Sequence, residues 1–155
     1  MTIYRLVYVS TANPELTIHD LDQILDTARA RNEASGLTGL LVFNGFNFMQ
    51  YLEGPASALE AVFDAICRDP RHSGVVRVFG DTAEDRLFPA WTMAYARTST
   101  SPGTSAGALN LTTEALKAYL PEDLSPELHM LFVSFNTMST FGMTPAAAEG
   151  FQPAQ

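Results

Sequence analysis

The sequence predicts an α+β fold, β-α-β-β-α-β-β, with both helices on one face of the sheet and a short C-terminal helical pair beyond it. Three observations lead there. Asn44-Gly45 separates two strand-like runs, residues 37–43 and 46–52, and this dipeptide accepts the positive φ angles of a tight hairpin turn. Segments with helical periodicity lie on both sides of that hairpin. Further β-rich runs precede the first of them and follow the second.

Residues 4–9 are apolar on both faces, which suits a central strand. After turn material at 11–14, Thr17 reads as an N-cap, with Asp20 favouring the positive helix end. The helix extends to about Asn32. Leu21, Ile24, Leu25 and Ala28 form its buried stripe, and Asn32 falls on that stripe, where it also reads as a C-cap. Gly54-Pro55 opens a second helix striped with Leu59, Val62, Phe63 and Ile66, and Asp69-Pro70 ends it. Residues 75–79 and 88–96 read as strands joined by the polar stretch 80–86. This order is that of a ferredoxin-like sheet, whose two helices leave a groove that suits a planar ligand.

The core domain is expected to span 1–97. Ser, Thr, Pro and Gly mark 98–107 as a linker, 108–141 holds helices at 109–120 and 124–138, and 142–155 reads as a loose tail. In the last helix Leu128, Leu131, Phe132 and Phe135 form an apolar stripe that either covers the free sheet face or makes an oligomer interface.

The chain has 155 residues, 46% of them hydrophobic, enough for one domain with a proper core. The single cysteine, Cys67, and the lack of a signal-like start imply a reducing, cytoplasmic setting. Apolar runs are far shorter than the roughly 20 residues that span a bilayer, so a soluble protein is expected. The net charge of −8 opposes nucleic-acid binding. His19, His72 and His129 have no metal-ligand spacing with one another or with Cys67, so no metal site is expected.

Alternation places Phe46, Phe48, Gln50 and Leu52 on one face of the third strand, Leu6, Tyr8 and Ser10 on one face of the first, and Trp91, Met93 and Tyr95 together in the last. Gln50 is polar among apolar neighbours. Where such faces meet the helices, Tyr8, Gln50, Trp91 and Met93 surround the space that Asn32 enters. A buried amide or hydroxyl left unpaired costs about 1–3 kcal/mol, and a ligand with donors and acceptors would supply partners. Taken singly, Tyr8, Trp91 and Met93 read as core residues.

Six segments then resemble the BLUF family, sensors of blue light using flavin. They are Tyr4-Arg5-Leu6-Val7-Tyr8-Val9-Ser10, Ala30-Arg31-Asn32, Gly36-Leu37-Thr38-Gly39-Leu40-Leu41, Phe48-Met49-Gln50-Tyr51-Leu52-Glu53-Gly54, Asp69-Pro70-Arg71-His72, and Arg86-Leu87-Phe88-Pro89-Ala90-Trp91-Thr92-Met93. They cover nearly all of 1–97 in the family's order. The resemblance implies a bound flavin, usually FAD, with FMN or riboflavin as variants. It implies that Asn32 bonds the polar edge of the ring, that Gln50 sits between the ring and Tyr8, and that Ile24, Phe48 and Ile66 pack on it. Arg31 occupies a variable position of the site, and Asp69, Arg71 and His72 fall where the ribityl chain and phosphate lie. Trp91 and Met93 would exchange places near Gln50 and pass the signal on.

The function so implied is a blue-light photoreceptor, not an enzyme, that signals to an unidentified downstream protein or through its own oligomeric state. Two other readings use the same groove. One is a light-independent ligand-binding module. The other is a flavin-dependent redox enzyme, disfavoured because no nicotinamide-binding G-x-G-x-x-G motif occurs. Ser10, His72 and an Asp suggest a hydrolase set, yet no nucleophile elbow supports it.

Overall fold

A computed structural model of the chain describes residues 2–43, 46–89, 94–97, 108–110 and 120–138. Its elements run β1 (Ile3–Ala12), α1 (Ile18–Ser35), β2 (Thr38–Phe43), β3 (Asn47–Gly54), α2 (Ala56–Cys67), β4 (His72–Ala83), β5 (Ala94–Arg97), β6 (Ala108–Asn110) and α3 (Pro126–Met138). They build one sheet in the order β4-β1-β3-β2-β5-β6. The first four strands of that order pair antiparallel, while β5 joins β2, and β6 joins β5, in parallel.

Alternation along the central strands gives the sheet two apolar faces. On one, Leu6 and Tyr8 of β1 and Phe48 and Leu52 of β3 pack with Leu21, Leu25 and Ala28 of α1 and Leu59, Val62 and Ile66 of α2. On the other, Val7, Met49 and Tyr51 pack with Leu128, Phe132 and Phe135 of α3. The C-terminal stripe therefore covers the sheet, with Leu131 partly buried beside it. No helix among the described residues is long and apolar enough to cross a membrane.

Local chemistry explains most boundaries. Thr17 and Asp20 form a capping box, the Asp20 N–H donating to Thr17 Oγ1 at 3.1 Å and the Thr17 N–H to Asp20 Oδ2 at 2.9 Å. Pro126 opens α3, and the Leu128 N–H donates to Ser125 Oγ at 3.3 Å. The Asn44-Gly45 turn lies outside the described residues, but Phe43 pairs with Phe48, as a hairpin requires.

Five expectations need correction. Helix α1 passes Asn32 and ends where Gly36 takes φ 69°, a left-handed conformation that glycine adopts without a Cβ penalty. The Asn32 carbonyl accepts the Leu37 N–H at 2.9 Å, so Asn32 lies inside the helix and is not its C-cap. Strand β4 is longer than 75–79 and takes in 80–83 of the expected connector, because β1 offers it a full backbone edge: Leu6 pairs with Gly80 and Ile3 with Ala83. The last core strand does not take in Phe88, whose N–H is held by the Glu53 carboxylate instead of a sheet ladder; it is seen at Ala94–Arg97, and 90–93 lie outside the described residues. Finally, Leu109 and Asn110 belong to β6 and do not open a helix, since β5 leaves them an edge to pair with. The linker 98–107, the rest of the expected first C-terminal helix at 111–119, and the tail at 142–155 lie outside the described residues.

Candidate functional site

The site begins with two neighbouring strands. Tyr8 of β1 and Gln50 of β3 are register partners, so alternation points both side chains to the helix-covered face. Both are buried, and the Tyr8 hydroxyl donates to Gln50 Oε1. Burial pushes the Tyr8 phenol far above its ordinary value, with Arg31 opposing weakly, so the hydroxyl keeps its proton at neutral pH.

Around this pair the fold makes a cleft between α1 and α2. Ile24 comes from α1, Ile66 from α2, and Leu41 and Phe48 from β2 and β3. Arg31 reaches the cleft from the last turns of α1, Asp69 and Arg71 from the turn after α2, and His72 from the start of β4. Nine of the expected residues thus meet: Tyr8, Ile24, Arg31, Phe48, Gln50, Ile66, Asp69, Arg71 and His72. Asn32 is fully buried on α1 but does not line the cleft. Trp91 and Met93 lie outside the described residues.

The mouth of the cleft is charged. Arg71 holds Asp69 through Nε at 2.9 and 3.1 Å and Nη2 at 2.6 Å, and its backbone N–H donates to the same carboxylate at 3.0 Å. Burial pushes the Asp69 carboxyl up, but these bonds more than reverse it and hold it below the usual range. His72 Nδ1 lies 2.7 Å from Ser10 Oγ, and burial pulls its imidazole below the ordinary value. Ser10 and His72 therefore do meet, yet Asp69 is engaged by Arg71, which leaves the imagined hydrolase set incomplete.

Arg31 is the clearest sign of a ligand. Its Nε is buried with no hydrogen-bond partner among the described residues, and burial lowers the pKa of its guanidinium against the pull of Tyr8 and Asp69. An orphaned cationic donor, a Tyr–Gln pair and aliphatic walls suit a flat heteroaromatic ligand with carbonyl acceptors. The interior encloses only about 30 Å³, and ligand sites are roughly ten times larger. Ile24, Phe48 and Arg31 line this space, so a ring seated there requires their side chains to shift.

Two lining residues escaped the sequence reading. Leu41 is the cross-strand partner of Gln50, and Thr27 precedes Arg31 by one turn. The alternation that selected Gln50, carried to β2, would have found Leu41, and the i, i+4 rule would have found Thr27.

An α+β sheet with a buried Tyr–Gln pair and, among the described residues, an unpartnered arginine donor under two helices has the form of a small ligand-binding domain. Comparison with known proteins gives the family. Residues 3–94 match the family described as BLUF, sensors of blue-light using FAD. The blue light- and temperature-regulated antirepressor BluF of Escherichia coli (strain K12) is 37% identical over 83 residues, covering 54% of this chain and 21% of that protein. Among solved structures, BlrP1 of Klebsiella pneumoniae, in a manganese and cyclic-diGMP complex, superposes with a TM-score of 0.69 at 30% identity, covering 87% of this chain and 33% of the other. The dark state of BlrB, a BLUF protein, gives 0.64 at 27% identity, covering 90% and 97%. The chain spans 14% to 21% of the length of the first curated relatives it matches. This chain belongs to the BLUF family. It is a blue-light photoreceptor domain whose cofactor is a flavin, FAD by the family's description.

Proposed function

We propose that Tyr8 and Gln50 form the photoswitch of this receptor and that the cleft between α1 and α2 holds the flavin ring. The observation that carries this reading is the buried hydrogen bond from Tyr8 to Gln50 Oε1, made within a cleft of otherwise aliphatic and aromatic walls. Ile24, Phe48 and Ile66 would pack on the ring, with Arg31 bonding its polar edge and Asn32, buried behind the cleft lining, joining it once the lining side chains shift to admit the ring. Asp69, Arg71 and His72 would hold the ribityl chain and phosphate, and thereby select among FAD, FMN and riboflavin.

When bound, a flavin supplies absorption of blue light and, once excited, a strong electron acceptor. Tyr8 is an oxidisable phenol whose proton rests on the hydroxyl. Tyr8 would give an electron to that acceptor, and its hydroxyl proton would move along the hydrogen bond to Gln50 Oε1. The Gln50 amide has an acceptor at one end and two donors at the other, so rotation or tautomerisation exchanges what it presents. Return of both particles to Tyr8 leaves Gln50 rearranged and consumes no substrate.

In this reading the chain is a cytoplasmic sensor without catalysis of its own. Its light-sensing unit is 1–97, the linker 98–107 and the segments beyond carry the output, and Trp91 and Met93 pass the change on. Light then biases a two-state equilibrium that a downstream protein or a second copy of the chain reads. An absorption spectrum before and after blue light tests the proposal. A reversible red shift of the flavin band is expected, and chromatography of the extracted cofactor identifies the flavin. Light-driven bleaching without a shift would overturn it.

A further inference from the structure

Three residues past Gln50, on the opposite face of the same strand, Glu53 is a fully buried carboxylate. Its Oε1 accepts from Thr38 Oγ1 at 3.1 Å and from the Phe88 N–H at 2.7 Å. Its Oε2 accepts from the Tyr51 hydroxyl at 2.7 Å and from the Leu87 N–H at 2.9 Å. Four donors from three parts of the chain thus meet on one side chain. Arg86 closes the set, donating to Thr38 Oγ1 at 2.9 Å and to the Gly36 carbonyl at 2.6 Å.

The clamp touches the output side directly. Phe88 is buried, edge-on to Tyr51 with ring centroids 5.4 Å apart, and Tyr51 lies 6.3 Å from Phe132 of α3. The segment it ties down leads through residues 90–93 into β5. Strand β3 therefore carries Gln50 on one face, and on the other a group that fixes the chain before β5 and contacts the neighbour of α3.

We propose that Glu53 is the positioning residue that couples Gln50 to the output face: a change in β3 at Gln50 shifts the Glu53 carboxylate and Tyr51, and with them residues 86–88 and α3. This coupling rests on the Tyr8–Gln50 photoswitch above. Its chemistry demands a carboxylate, because two backbone N–H groups and two hydroxyls converge on two acceptor oxygens. A glutamine offers one acceptor oxygen and turns an NH₂ toward donors that include the Leu87 or Phe88 N–H, which cannot reverse.

The test uses the full-length, flavin-loaded protein, with absorption and amide hydrogen exchange measured in the dark and under blue light. In the wild type a red shift is expected together with a light-dependent exchange difference in 86–89 and 126–138. In Glu53→Gln the red shift persists at full amplitude, because the carboxylate is not in the cleft, while the exchange difference in 126–138 falls at least fivefold. Tyr51→Phe, which removes one donor and leaves the carboxylate, keeps the shift and lowers the difference at least twofold, and it decides the matter should Glu53→Gln not fold. A normal red shift with wild-type exchange differences in the folded variants overturns the coupling alone. Absence of the red shift in the wild type overturns the photoswitch reading and the coupling with it.

Discussion

Tyr8 and Gln50 are cross-strand partners in the β1–β3 ladder, and the phenol of one donates to the amide oxygen of the other inside the helix-covered face. Register alone brings them together, so their meeting depends on no loop. Tyr8→Phe and Gln50→Leu should each leave the flavin bound while abolishing the reversible red shift. Light-minus-dark difference spectra check this, and a surviving shift in either variant would remove that residue from the switch.

Arg31 gives an asymmetric expectation. Its buried Nε lacks a partner among the described residues, and an unsatisfied buried donor costs about 1–3 kcal/mol. Arg31→Met should therefore leave the flavin-free protein as stable or about 1 kcal/mol more stable, while flavin binding weakens on the order of tenfold, the factor that 1.4 kcal/mol represents. Denaturant melts without flavin and a flavin titration measure the two halves. Equal affinity in both proteins would show that Arg31 does not bond the cofactor.

The pH dependence separates His72 from Asp69. Burial pulls the His72 imidazole below its ordinary value near 6.5, opposed by Asp69 and aided by Arg71. The unfolded chain then binds the extra proton first, so this contribution is fully present above about pH 6.5 and is lost as pH falls from there through the folded value. Asp69, held low, loses its contribution only in a more acidic window, below the ordinary carboxyl value near 3.9. Thermal melts between pH 8 and 5 should fall in Tm for the wild type and fall less for His72→Gln. Parallel curves would exclude His72 as the source.

Phe132 seats α3 on the sheet and is fully buried. Phe132→Ala should cost about 3–5 kcal/mol, as large-to-small core changes do. The cleft lies across the sheet, so in preparations that remain folded the flavin spectrum should stay near wild type. Chemical denaturation and the absorption band together check this, and a lost flavin would show that cofactor binding requires α3 to be seated on the sheet.

Most of the fold was legible because period-2 and period-3.6 patterns are strong where one face is buried. Gln50 stood out for that reason, a polar side chain in a run of apolar ones. Residues 80–83 did not read as strand, because β4 is an edge whose side chains mostly meet water, and only β1 supplies a reason for extension. The end of α1 was misjudged because its apolar stripe stops at Ala28, whereas the signal that decides it is Gly36. Glu53 was invisible as a site. A glutamate near a strand end reads as solvated, and its burial depends on Leu87 and Phe88, more than thirty residues away.

Because consecutive side chains of β3 answer to opposite faces, the two halves of a light receptor are written in interleaved letters of one strand. Even positions face the cleft proposed for the cofactor, and Met49 and Tyr51 face α3. A designer building a light-controlled tool would keep Tyr51 and Glu53 and rewrite only the outer surface of α3 for a new listener, leaving the spectrum as it is.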